Sequence, residues 1–302
     1  MPTNFNTLPN RNIYQSTINT STVSNPVKKE TAQQPQTEKG ISKKALVGIG
    51  ASLAAAATVG ILLAKGNFRQ AKQLAEHIDF KEAKTMDEAV QFAKENLGVK
   101  LQIGDNLDVA NFLNEIFVDV NNKMKGKAVL PKKVKMQATN ATDGLEGFAS
   151  WSTNKELTLG KGFEQIVNIG KGKGLTLKKC LEYYKECFKD NDPNFVTRAI
   201  YHELGHANHK NFMKMRRLPE LKADGNKDTH LTEEFLQDVK DNKIVHDFFD
   251  KNTSTRLDDG TIYSLSSPAE FVADTFSFKM LGKSIPEEVE KIYQKFGGPV
   301  IG

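Results

Sequence analysis

Apolar positions change their period along this chain, and each change marks an element. Phe68–Asn96 carries helical spacing, with Ala89, Phe92 and Ala93 recurring on one side after the capping residue Thr85. Val109–Val120 predicts a second amphipathic helix, with Phe112, Leu113, Ile116 and Phe117 on one face. The period falls to two at Val134–Thr139, where Val134, Met136 and Ala138 share a face. Gly147–Gly160 reads as strand, a turn at Ser152-Thr153-Asn154, and strand. Thr176–Phe188 returns to helix. Helices around a few short strands predict an α+β fold, and no internal repeat is visible.

Two stretches follow neither period. Met1 to about Gly40 is rich in Asn, Thr, Ser, Gln and Pro, and its scattered apolar residues cannot offset the entropy of ordering it, so a polar, disordered tail is expected. Ala45–Ala64 is a run of 20 residues without a charge, flanked by Lys43, Lys44 and Lys65. At 1.5 Å per residue it spans roughly 30 Å, the thickness of a bilayer's hydrocarbon core, and predicts one transmembrane helix, whose small residues Gly50 and Ala54 could let two such helices pair. An Ala-rich buried helix or a signal-like segment are the competing readings. Lys39, Lys43 and Lys44 before the run balance Lys65, Arg69 and Lys72 after it, leaving the orientation tied.

Composition adds exclusions. The 302 residues are 38% hydrophobic, enough for a core, and two cysteines do not build a disulfide scaffold. Cys180 and Cys187, about 10 Å apart along one helix, lie beyond disulfide reach and read as buried thiols. The net charge is +5, and residues 1–44 carry four of those five charges. The excess belongs to the tail, where it tips the orientation toward an anionic cytoplasmic leaflet. The rest is nearly neutral and lacks zinc-finger spacing, basic helices or aromatic-basic interleaving, so no nucleic-acid partner is expected.

The chemistry lies in His202-Glu203-Leu204-Gly205-His206, an H-E-x-x-H sequence. Asp192 as cap, Pro193 at the first helical position, and Phe195, Val196, Ala199 and Ile200 as an apolar face predict a helix through it. On a helix the two imidazoles stand one turn apart on one side and can share a Zn²⁺, while Glu203 can act as base toward a water whose pKa the zinc lowers to about 7. A catalytic zinc takes a third protein ligand. Phe212 occupies the position where one large class places a histidine. His209 follows His206 on the same helix, where three ligands would fan apart, and His230 and His246 lie in a polar stretch without pattern. Glu270, in Ser267-Pro268-Ala269-Glu270-Phe271-Val272-Ala273-Asp274, is the remaining candidate. Ser267-x-x-Glu270 also fits a capping box, in which Glu270 would serve only the backbone. The missing third ligand favours the metal role. Asp274, one turn on, could accept the free N–H of a ligand imidazole.

His202–His206 followed by Tyr263-x5-Ala269-Glu270-Phe271-x-Ala273-Asp274-x-Phe276 resembles the gluzincin metallopeptidases, most of all the anthrax lethal factor and Pro-Pro endopeptidase group. The resemblance covers two helices and their flanks. It implies Glu270 as third zinc ligand, Asp274 behind a ligand histidine, and Tyr263 as a donor to the tetrahedral intermediate. It also implies a zincin-like fold: a small twisted sheet over the active-site helix, with an edge strand, here placed at Phe148–Leu159, that pairs with an extended peptide. Trp151 could line the cleft. The stretch Lys210–Ile262 is longer than in lethal factor, and the residues that set Pro-Pro specificity lie outside the match.

These readings give residues 1–40 as tail, 41–65 as transmembrane helix, 66–125 as a helical lead-in and 126–302 as catalytic domain. The expected protein is a single-pass, membrane-anchored zinc endopeptidase acting on peptide or protein substrates. A zinc-binding interaction module without strong activity, and a toxin- or effector-like protease whose apolar run serves delivery, are the alternatives. Glu203 argues against the module, because a site that only holds metal has no need of that carboxylate.

Overall fold

The computed structural model describes residues 76–137, 149–152, 155–187, 194–216, 229–253, 255–257 and 259–302. Its elements are helix α1 (Met86–Phe92) continuing into a π turn (Ala93–Leu97), strand β1 (Lys100–Gln102), α2 (Leu107–Lys123), β2 (Lys133–Met136), β3 (Ala149–Trp151), β4 (Glu156–Leu159), α3 (Lys161–Gly172), α4 (Leu177–Cys187), α5 (Phe195–Met215), α6 (Thr229–Lys240), α7 (Lys243–Asn252), a 3-10 turn (Tyr263–Leu265), α8 (Pro268–Met280) and α9 (Glu287–Lys295). The strands form one mixed sheet in the order β1-β2-β4-β3, parallel except for β3, which runs antiparallel to β4 at one edge. Leu101, Val134, Leu157 and Leu159 bury one face of it, as the alternation at Val134 and Met136 predicts for β2.

The fold is α+β with a small mixed sheet, and the expectation of a membrane-spanning helix is corrected. No helix among the described residues is long and apolar enough to cross a membrane. The physical reason is charge: the longest, α5, has 21 residues but carries Arg198, Glu203, Lys210 and Lys214. The single-pass membrane location drawn from that helix is corrected with it. The run Ala45–Ala64 and the polar tail lie outside the described residues.

Helix α2 runs from an Asn106 cap, whose side chain accepts from Val109 N, and buries Val109, Leu113, Ile116, Phe117 and Val120. It also explains why helix does not extend back through residues 77–85. Asn122 pairs its side-chain amide with both backbone groups of Ile78 (2.8 and 2.9 Å), and Asn111 does the same at Ala83 (3.0 and 2.9 Å). With those groups taken, helix begins only at the Thr85 cap, which accepts from Glu88 N. Helix α3 carries no prediction because Gly162, Gly170 and Gly172 dilute its pattern. Gly170 has a packing reason, since a Cβ there would lie 3.3 Å from Cys180 Cβ on α4. Cys180 is a buried free thiol, as expected.

Helix α8 is buried on nearly every side. One face meets α5, and the other meets an aromatic cluster in which Phe235 of α6 and Phe249 of α7 lie 5.5 and 5.1 Å from Phe271, ring centre to ring centre. These edge-on and tilted contacts hold α8 from behind. The stretch between the two motifs therefore supplies the support of α8 through α6 and α7. Its apolar residues Leu231, Phe235, Leu236 and Val239 in α6, and Ile244, Val245, Phe248 and Phe249 in α7, do recur at helical spacing, but in short blocks separated by charged residues.

Candidate metal centre

Two helices build the site. Asp192 and Pro193, the predicted start of α5, lie outside the described residues. The helix opens at Phe195 with Asn194 at its N-cap, and no side chain caps it. Its inward side buries Val196, Ala199, Ile200 and Leu204 and points His202 and His206 at α8. On α8, Ser267 accepts from Glu270 N at 3.2 Å with Pro268 at the first helical position. Half of the capping box thus forms. The Glu270 carboxylate does not complete it; it turns to the histidines.

The crossing depends on Gly205. A Cβ at this position would stand 2.9 Å from both the Cα and the carbonyl oxygen of Ala273. Only a glycine lets the two backbones approach this closely. Gly205 lies between the two histidines in sequence, and Ala273 lies between Glu270 and Asp274, so the point of closest approach is also the middle of the site.

His202 Nε2, His206 Nε2 and Glu270 Oε2 converge: the nitrogens are 3.0 Å apart, and the oxygen lies 3.1 and 3.4 Å from them. Together these three side chains form a group that could hold a metal ion. Atoms bound at 2.0–2.1 Å to one tetrahedral ion stand about 3.3 Å apart, close to this triangle. Glu270 Oε2 is buried and has no hydrogen-bond partner of acceptable geometry. His202 Nδ1 lies 2.7 Å from Asp274 Oδ1. A proton on Nδ1 leaves a lone pair on Nε2, facing a carboxylate oxygen that can only accept. Lone pairs converging from one buried and two half-buried side chains form a place that could hold a cation.

The surroundings set the charge. Burial pushes the Asp274 carboxyl up, but Arg198 and His202 outweigh it and bring it down to about 2. Burial likewise opposes the ionised form of Glu270, and the two histidines pull it well below the ordinary carboxylate range. Burial raises Glu203, the histidines oppose this, the charge of Glu270 adds to it, and the backbone N–H of Trp151 reaches the carboxylate and lowers it. The net direction is upward. For His202, burial disfavours the charged ring, but Asp274 and Glu270 prevail and raise it.

The other candidates are placed as follows. Tyr263, in the 3-10 turn before α8, has its ring 6.4 Å from that of His202. His209 points away, bonded to Phe296 O at 2.8 Å, and burial lowers its pKa to about 4. His246 bonds Val239 O at 3.0 Å. Of the predicted edge, β3 is an edge strand and packs on α5, β4 lies inside the sheet, and Phe148 is outside the described residues. Trp151 is half-buried.

Sequence reasoning misses Arg198, Ser264 and Thr253. Arg198 bonds Asp274 Oδ1 at 2.7 Å and Thr253 Oγ1 at 3.5 Å, while the Ser264 hydroxyl donates to Asp274 Oδ2. A signal for Arg198 exists: it sits one turn before His202, on the apolar face of α5. Compared with protein families, with characterised proteins and with solved structures, the chain finds no match in any of the three.

Proposed function

We propose that this protein is a zinc-dependent endopeptidase of gluzincin type, with His202, His206 and Glu270 as the metal ligands and Glu203 as general base. The observation that carries the reading is the triangle of donor atoms, 3.0–3.4 Å on a side, with the half-buried carboxylate of Glu203 on the same helix between the two histidines. A metal-only site has no use for Glu203. Two nitrogens and one carboxylate oxygen suit zinc, and three protein ligands leave a position open, as in hydrolytic centres.

Zinc in this site would supply a Lewis acid that polarises a carbonyl and acidifies water. The chain's own residues do the rest. Asp274 holds His202 with Nε2 toward the ligand triangle. Glu203 accepts the proton of the attacking water and returns it to the leaving nitrogen, so the peptide is split without net proton change. Tyr263 can donate its phenolic proton to the oxygen where charge develops. Among the described residues β3 is an edge strand lying over α5, beside which an extended peptide backbone could align. A peptide-library cleavage profile tests the proposal. Wild type should cleave, and Glu203→Gln should keep its zinc but lose about 10²–10⁴-fold in rate. Equal cleavage by both would overturn the assignment of the base.

A further inference from the structure

We infer that Ser264 is a positioning residue: its buried hydroxyl fastens the turn that carries Tyr263 to Asp274, the carboxylate that also orients His202. The inference rests on the peptidase reading above. Ser264 is fully buried, and its Oγ donates to Asp274 Oδ2. The other oxygen, Oδ1, takes His202 Nδ1 and Arg198 Nη1, both at 2.7 Å. Asp274 is therefore clamped from both sides, with Arg198 and His202 on one oxygen and the Tyr263 turn on the other. That turn is a single 3-10 element closed by two backbone bonds, Leu265 N–H to Ile262 O (2.9 Å) and Ser266 N–H to Tyr263 O (3.0 Å), and anchored at its start by Tyr263 N–H to Thr255 O (3.1 Å), which leaves the inward side of the turn to Ser264. So short a helix has little cooperativity of its own to fix its rotation. A hydrogen bond to an ionised acceptor is among the stronger kinds. With the Ser264 side chain held inward, the direction in which its neighbour Tyr263 leaves the backbone is set, and its ring sits beside His202. One carboxylate thus registers a metal ligand and an oxyanion donor against each other.

The test uses the zinc-loaded full chain, a peptide taken from the cleavage profile, and four variants: Ser264→Ala, Ser264→Thr, Tyr263→Phe and Ser264→Ala with Tyr263→Phe. Ser264→Ala should lower kcat about tenfold or more with KM little changed, since a misplaced group costs rate before it costs binding. Its zinc affinity should stay within about threefold, because Arg198 and His202 still hold Asp274. Amide exchange at Leu265 and Ser266 should speed up about tenfold. Ser264→Thr, which keeps the hydroxyl, should retain the protection and most of the rate. In the Tyr263→Phe background, Ser264→Ala should have no further effect on kcat. The inference is overturned if Ser264→Ala lowers kcat equally in both backgrounds, if zinc affinity falls in parallel with rate, or if the Ala and Thr variants behave alike, unfolding included. A wild type that cleaves no peptide sinks the peptidase reading instead, and the exchange comparison still decides whether Ser264 holds the turn.

Discussion

Replacing Gly205 with alanine puts one methyl group where α5 and α8 cross. Its Cβ would lie 2.9 Å from the Cα and the carbonyl oxygen of Ala273 and 3.3 Å from the carbonyl carbon. All three are backbone atoms, so no side chain can swing aside. Restoring ordinary contact means parting the helices by about 0.5–1 Å. Overpacking costs about 1–3 kcal/mol, and a backbone obstacle puts this case at the upper end. Alanine's better helix propensity returns up to about 1 kcal/mol, leaving a net loss of about 2 kcal/mol. The site should suffer more than the fold, because two of the proposed ligands ride on α5 and the third on α8. Urea denaturation gives the first quantity, and competition against a chromophoric chelator gives zinc affinity, expected to fall at least about tenfold. Gly172→Ala is the control: it closes α3, nothing lies within 4 Å of its added Cβ, and it should be neutral or slightly stabilising with zinc affinity unchanged. If Gly205→Ala keeps both stability and zinc affinity, the close crossing does not set the site.

Arg198→Met should destabilise by about 3–5 kcal/mol in thermal or urea unfolding, since it strands Asp274 as a buried charge. Restoring the balance with Asp274→Asn in the same chain should recover part of that loss but not the zinc affinity. His209 makes stability pH-dependent. Its folded pKa of about 4 lies below the ordinary 6.5, so the unfolded chain binds the proton more readily. Its contribution is complete above pH 6.5, declines as pH falls toward 4, and amounts to about 3 kcal/mol. The difference in unfolding free energy between wild type and His209→Gln, followed from pH 7 to 4, should shrink by about that much, and a constant difference contradicts the burial argument.

What the sequence makes legible divides by mechanism. The pattern around His202–His206 and Glu270–Asp274 names a constellation because its chemistry depends on residue type and on spacing within one helix. The triangle itself depends on how α5 and α8 cross, and only Gly205, a glycine in a helix interior, hints at that. Helix α2 is legible from its periodicity. The segment before α1 is misread because the Asn111 and Asn122 side chains, far along the chain, take its backbone groups. The roles of Ser264 and Thr253 have no local signature, since any buried hydroxyl looks alike until its partner is known. The transmembrane expectation rests on one uncharged run read by length, a rule that weighs neither the rest of the chain nor its packing.

The central claim is that three side chains from two helices form one metal centre, and zinc stoichiometry tests it most directly. Purified protein, titrated with Zn²⁺ against a competing chelator and checked by elemental analysis, should bind one zinc per chain. Glu270→Ala should weaken that binding by about 10²-fold or more, as expected when one of three ligands is lost. Absence of stoichiometric zinc, or unchanged affinity in Glu270→Ala, would contradict the account.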